Sequence, residues 1–225
     1  MLKKYFASSI GKKQVVAVSG LMLILFLIAH LAGNLFIYGG PGAFNQYAAT
    51  LESLGPVLVL IETLLTLVFV THIVFTAMVV IENKRARPIQ YAGGLASKER
   101  SLATRLMPYT GTVLLVYIIT HLCDFVFADA TSSASTFGGQ QLGLYGLVVH
   151  TFMNPLKVVW YLVAMMAVGF HLVHAVQSVL QTFGINHPYY TPIIRKVSLV
   201  FGILIALGFS IIPFYVWLVV APTLG

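Results

Sequence analysis

Five of the seven histidines in this 225-residue chain, His30, His72, His121, His171 and His174, lie inside long apolar stretches. A neutral imidazole is a common metal ligand, and one that gains and loses a proton can serve in a relay. An ionisable side chain at membrane depth is costly and points by default to function. A plain hydrogen bond between helices accounts well for any one such histidine. It accounts poorly for four stretches that each carry one.

The elements that must position these side chains follow from composition. Hydrophobic residues make up 59% of the chain and charged residues only 8%, against about a quarter charged in a soluble domain. That excludes a water-soluble globule. Apolar stretches run roughly over Val15–Tyr38, Val57–Ile81, Met107–Phe127, Val158–Leu180 and Val197–Ala221, each long enough as a helix to cross about 30 Å of hydrocarbon. Strand alternation is absent, and a spanning backbone must satisfy its own hydrogen bonds. The expectation is an all-α membrane protein, one transmembrane domain over residues 1–225 with five spanning helices. The opening MLKKYFASSIGKK resembles a signal peptide, but the apolar run after it is too long for one and lacks a small-residue cleavage pattern, so it reads as a retained first helix.

The formal net charge of +7 is explained by orientation. Lys3, Lys4, Lys12 and Lys13 precede the first span, Lys84, Arg85, Arg87, Lys98, Arg100 and Arg105 fill the second loop, and Arg195 and Lys196 sit in the fourth; only Lys157 falls on the other side. By the positive-inside rule the N-terminus is cytoplasmic and the C-terminus outside, in a cytoplasmic membrane of bacterial type. The basic face needs no nucleic acid as a partner, although it can also meet anionic lipid or an acidic protein.

Depth pairs the histidines. His30 lies 17 residues after Lys13 and His121 lies 16 after Arg105, so both stand about 25 Å from the cytoplasmic end and share an outer layer. His72 lies 10 residues before Glu82, and His171 falls at similar depth on the descending fourth span; these share an inner layer, about 15 Å from that end. Two stacked pairs, each drawn from two helices, are what two bis-histidine b-type haems require, with His30 and His121 on one iron and His72 and His171 on the other. The single cysteine, Cys123, excludes an internal disulfide and the CxxCH attachment of a c-type haem. In this reading helices 1–4 form a haem-binding four-helix bundle with the fifth helix alongside, kinked at Pro213.

An internal repeat points the same way. Ser19-Gly20 precedes His30-Leu31 by nine residues, as Thr110-Gly111 precedes His121-Leu122, and His72-Ile73-Val74 matches His171-Leu172-Val173. Helices 1 and 2 thus parallel helices 3 and 4, which favours His171 over His174 as the partner of His72. Gly20 and Gly111 lie at the depth of the inner pair, where a missing side chain leaves room for a macrocycle; ordinary small-residue helix contacts are the plainer explanation. His174, one turn nearer the cytoplasm, is a candidate for hydrogen-bonding a propionate of the inner haem or lining a quinone pocket, and a simple interhelical hydrogen bond serves it equally. Arg105, entering helix 3, is a further candidate haem contact. A di-iron site needs several inward carboxylates, and the spans offer only Glu62 and Asp124.

His30-Leu31-Ala32-Gly33-Asn34, Arg105 to Gly111 leading to His121, and Asn154-Pro155 followed by Phe170-His171 together resemble the five-helix, dihaem cytochrome b membrane anchor of succinate dehydrogenases and fumarate reductases. The resemblance covers nearly the whole chain. It implies His30 and His121 as ligands of the distal haem and His72 and His171 as ligands of the proximal one. It also implies two partners on the cytoplasmic face, a flavoprotein with covalent FAD and an iron–sulfur subunit. Succinate and fumarate chemistry would then belong to the flavoprotein, and this subunit would pass electrons between the iron–sulfur subunit and a membrane quinone, with menaquinone favoured by the family's dihaem anchors.

Glu62 and Asp124, near the outer ends of helices 2 and 3, are candidates for moving protons at an outer quinone site, or else interfacial carboxylates reached by water. Trp160, Tyr215 and Trp217 fit interfacial anchors. The outer segment from Ala128 to Gly143 reads as a solvated connection, and the loops at Asn83 to Leu106 and Asn186-His187-Pro188 as the docking face. Two other functions share these features: a cytochrome b subunit of a hydrogenase or formate dehydrogenase, and a haem-free transporter whose histidines form a proton relay.

Overall fold

Short polar signals set the helix starts. The Ser8 hydroxyl accepts from the Gly11 N–H at 3.0 Å, and Asn154 Oδ1 accepts from the Leu156 N–H at 2.9 Å just before Pro155, both satisfying donors that a first turn leaves open. The computed structural model describes residues 5–6, 8–86 and 102–224, with 102–104 as backbone alone. Most of the proposed docking loop, including Arg87, Lys98 and Arg100, lies outside the described residues, as do Lys3 and Lys4.

In chain order the helices are α1 Ser9–Asn34, α2 Gly40–Glu52, α3 Pro56–Arg85, α4 Leu102–Phe125, α5 Gly143–Met153, α6 Pro155–Thr182, α7 Thr191–Tyr215 and α8 Ala221–Leu224. Helices α1, α3, α4, α6 and α7 are long and apolar enough to cross a membrane. They correspond to the five expected spans, extended at several ends by polar residues that an apolar window trims; α3 runs on through Glu82 to Arg85.

Contacts at both ends fix the arrangement. Lys12 on α1 pairs with Glu82 on α3 at the end where α1 begins, here called the near end, and Lys157 on α6 pairs with Asp124 on α4 at the far end. Helix α1 therefore runs antiparallel to α3, and α4 antiparallel to α6. These two pairs meet where α1 packs on α6, and α7 lies mainly along α6. Gly169 and Gly202 let α6 and α7 approach closely: a β-carbon on Gly202 would stand 2.8 Å from the Gly169 carbonyl oxygen. One apolar cluster between α1, α6 and α7 centres on Ala164, Met165 and Ile205. Helix α3 contrasts with all of these, since none of its 30 residues is buried; a helix apolar on every side suits hydrocarbon rather than water.

The far end departs from the expectation of plain loops. Helices α2 and α5 are both folded there, below spanning length. Asn45 on α2 ties them together, its Nδ2 donating to the Leu142 carbonyl at 2.8 Å and its Oδ1 accepting from the Tyr145 N–H at 3.0 Å. The Ala128–Gly143 segment is likewise more than a solvated connection. It contains a two-stranded hairpin, β1 Thr136–Phe137 paired antiparallel with β2 Gln140–Gln141, turned by Gly138 and Gly139 at positive φ. Beside it Ser135 is wholly buried, donating to the Ala130 carbonyl at 2.5 Å. A second apolar cluster forms here, with Val149 of α5 and Val216 both fully buried. Val216 opens a π-helical turn, Val216–Val220, just after Pro213, so α7 passes through its proline and the irregularity falls in the next turn.

Candidate functional site

The near layer is built twice from the same parts. On α1, Ser19 is followed by Gly20, and both face His72 of α3: Ser19 Oγ is 3.1 Å from His72 Nδ1, and a β-carbon on Gly20 would be 3.2 Å from His72 Cε1. On α4, Thr110 is followed by Gly111, and both face His171 of α6: Thr110 Oγ1 is 3.3 Å from His171 Nδ1, and a β-carbon on Gly111 would be 3.7 Å from His171 Cε1. Gly20 admits the His72 edge where a side chain would crowd it, and Gly111 leaves its His171 edge in ordinary contact distance.

One helical stretch further along α1 and α4 lies the far layer. His30 and His121 meet directly, their ring centres 5.8 Å apart and their planes at 87°. His30 stacks on Phe26 and lies 5.8 Å from Phe209; His121 is flanked by Tyr117, Phe125 and Tyr161. The Nδ1 atom of His121 is buried and has no hydrogen-bond partner among the described residues. His30 stands ten positions after Gly20, and His121 ten after Gly111, so contact between the two far histidines places both glycines, and with them His72 and His171, at one level about 15 Å away.

Other expected residues fall variously. His174 is half-buried one turn beyond His171 and within electrostatic reach of it. Arg105 is half-buried in the first turn of α4. Asp124 is held by Lys157, Nζ to Oδ1 at 2.6 Å, and by the Tyr161 hydroxyl, which donates to Oδ2 at 2.9 Å. Lys157, the one cation on the far side of the charge pattern, is thus matched by a carboxylate. Glu62 is not part of that cluster: it is exposed on α3, and its carboxylate has no ion pair among the described residues. Trp160 also ties two helices together: its indole N–H donates to Thr120 Oγ1 at 2.9 Å, joining α6 to α4.

Sequence reasoning used Ser19 and Thr110 only as markers of the repeat and missed that their hydroxyls reach imidazoles; the signal was a small hydroxylic residue at the same offset before each far-layer histidine. Tyr161 was missed altogether. A tyrosine one turn after Lys157 carries no distinguishing pattern.

Among the described residues no three His, Cys, Asp or Glu side chains cluster to hold a metal ion unaided. Each layer instead offers two imidazoles from different helices, the complement that a metal with four ligands of its own needs on its two open faces. A haem suits this donor set on two observations: Gly20, where a β-carbon would stand 3.2 Å from the His72 ring, and far-layer ring centres 5.8 Å apart, near the ~6 Å given by two metal–nitrogen bonds of about 2 Å plus about 1 Å from each nitrogen to its ring centre. Comparison of the chain with protein-family models, with curated proteins and with solved structures finds no match in any of the three.

Proposed function

We propose that this chain is the membrane anchor and electron-transfer subunit of a succinate:quinone oxidoreductase, a dihaem cytochrome b. In this reading α1, α3, α4 and α6 form the haem-binding four-helix bundle with α7 alongside, the near end faces the cytoplasm, and the protein sits in a cytoplasmic membrane of bacterial type. His72 and His171 hold the proximal haem and His30 and His121 the distal one. The observation that carries the proposal is the duplicated near layer, in which a hydroxyl and a glycine meet each imidazole in the same way on two helix pairs. A relay histidine needs no such bare backbone beside it.

When bound, the haems supply one-electron transfer between ferric and ferrous iron. The chain's own residues do the rest. Each imidazole presents a nitrogen at a fixed level, so the helix rise spaces the two layers by about 15 Å. Apolar neighbours such as Phe26, Phe209 and Phe125 keep water from the far pair and favour neutral ligands. The Asp124–Lys157–Tyr161 cluster beside the distal layer and His174 beside the proximal one are this reading's candidates for serving the quinone. The flavoprotein and iron–sulfur partners, with FAD and the clusters, and the preference for menaquinone follow from the family resemblance; they dock on the near face and exchange electrons there.

The test is a reduced-minus-oxidised spectrum and a pyridine haemochrome assay on the purified chain, followed by succinate–quinone activity of the complex it purifies with. Two b-type haems per chain are expected. A haem-free preparation overturns the reading in favour of a histidine relay, and haem without a flavoprotein partner in favour of another respiratory cytochrome b.

A further inference from the structure

We propose that Ser19 and Thr110 are positioning residues that fix the ring tautomer of His72 and His171 and lower the reduction potential of the near haem. The inference rests on the dihaem reading and extends it to two residues that do not touch iron.

It follows from counting hydrogens. A serine hydroxyl has one to donate. Ser19 Oγ lies 2.7 Å from the Val15 carbonyl, the back-bond to the preceding turn that a mid-helix serine makes, and that contact is shorter than its 3.1 Å approach to His72. The hydrogen therefore goes to Val15, and toward the imidazole Ser19 accepts. On this count His72 carries its proton on Nδ1, which leaves the Nε2 lone pair for a metal; the Val16 backbone also lies within hydrogen-bonding reach of the ring, so Ser19 is one of two partners beside it. Thr110 repeats the arrangement, lying 3.1 Å from both the Leu106 and the Met107 carbonyls and 3.3 Å from His171 Nδ1. On this proposal both near-layer rings present Nε2 to iron with Nδ1–H toward a hydroxyl, more closely at His72 (3.1 Å) than at His171 (3.3 Å). Among the described residues the far layer shows no such support: His121 Nδ1 is buried without a partner, and the ring contacts of His30 are to Phe26, Phe209 and His121.

An acceptor on the distal N–H raises the basicity of a ligating imidazole. A more basic ligand favours ferric over ferrous iron, so the two hydroxyls pull the near potential down and leave the far one untouched. The matching placement on two helix pairs, tighter at His72 than at His171, is what a chance interhelical contact does not explain.

The experiment is a redox titration of membranes bearing the full complex, with the near haem identified as the spectral component lost in His171→Ala. Thr110→Val keeps the side-chain volume and removes the acceptor; Ser19→Ala does the same at the partner ring. Each is expected to retain both haems and shift the ferric-to-ferrous affinity ratio of the near haem about tenfold, which is about 59 mV upward for a one-electron couple. Thr110→Ser should restore the original potential. An unchanged near potential in both Thr110→Val and Ser19→Ala overturns the proposal, as does a shift confined to the far haem. If Thr110→Val instead loses the near haem, retention in Thr110→Ser supports the hydroxyl's role and loss in both refutes it. Absence of haem from the unmodified complex is a separate result, which removes the dihaem reading itself.

Discussion

The imidazole of His72 lies against the bare backbone of Gly20, so that a β-carbon there would sit 3.2 Å from Cε1, while the matching carbon on Gly111 would sit 3.7 Å from Cε1 of His171. The repeat is alike in plan and tighter on the α1 side. Gly111→Ala is expected to retain both haems, since 3.7 Å is ordinary contact. Gly20→Ala forces the His72 ring to shift by a few tenths of an ångström and should lower near-haem content several-fold while sparing the far haem. Haemochrome assays on the two purified variants decide it; equal occupancy contradicts the packing.

Ligand pairing is testable one residue at a time. His72→Ala and His171→Ala should remove the same spectral component, and His30→Ala and His121→Ala the other. A common loss in His30→Ala and His72→Ala would mean that the layers do not pair as the ring contacts suggest. His174→Ala should keep both haems.

Asp124 joins α4 to α6 through Lys157 and Tyr161. Asp124→Asn leaves the ammonium unmatched and weakens a charged hydrogen bond with the tyrosine, at a cost of about 1–3 kcal/mol, read as a lower melting temperature in detergent. Adding Lys157→Met to that variant should recover part of the loss, because the orphaned charge goes with it. A double variant no better than the single one would show that Lys157 contributes nothing through its charge.

Orientation can be read with thiols, because Cys123 is the chain's one cysteine. In a Cys123→Ser background, Thr131→Cys in the far-end loop should react with an impermeant maleimide added outside intact cells. Asn186→Cys in the near-end loop should react only after permeabilisation. The reverse pattern inverts the topology.

The five long helices were legible because their signal is one of length and apolarity, which survives any packing. The histidine layers were legible for a related reason: a constant rise per residue turns chain position into depth, so His30 and His121 could be paired before their rings were seen to meet. Helices α2 and α5 were hidden, the first because Gly40-Pro41-Gly42 reads as a break and the second because 11 residues fall short of a span. What depth cannot convey is azimuth. Glu62 and Asp124 lie near the same end, yet one faces outward on α3 and the other inward to Lys157, and that difference turns on which side of each helix meets a neighbour. The hydroxyls of Ser19 and Thr110 escaped notice likewise, since their partners lie 53 and 61 residues away.

The roof over the far layer has a consequence for traffic. Phe125, Phe152 and Tyr161 close ring against ring beyond His121, and Phe152 and Tyr161 are 3% and 4% exposed, with α5 laid across the end. A water-soluble dye such as ferricyanide, arriving from that side, has no direct line to the far pair. On the proposed dihaem reading, the far pair would exchange electrons with a carrier dissolved in the bilayer more readily than with a hydrated one.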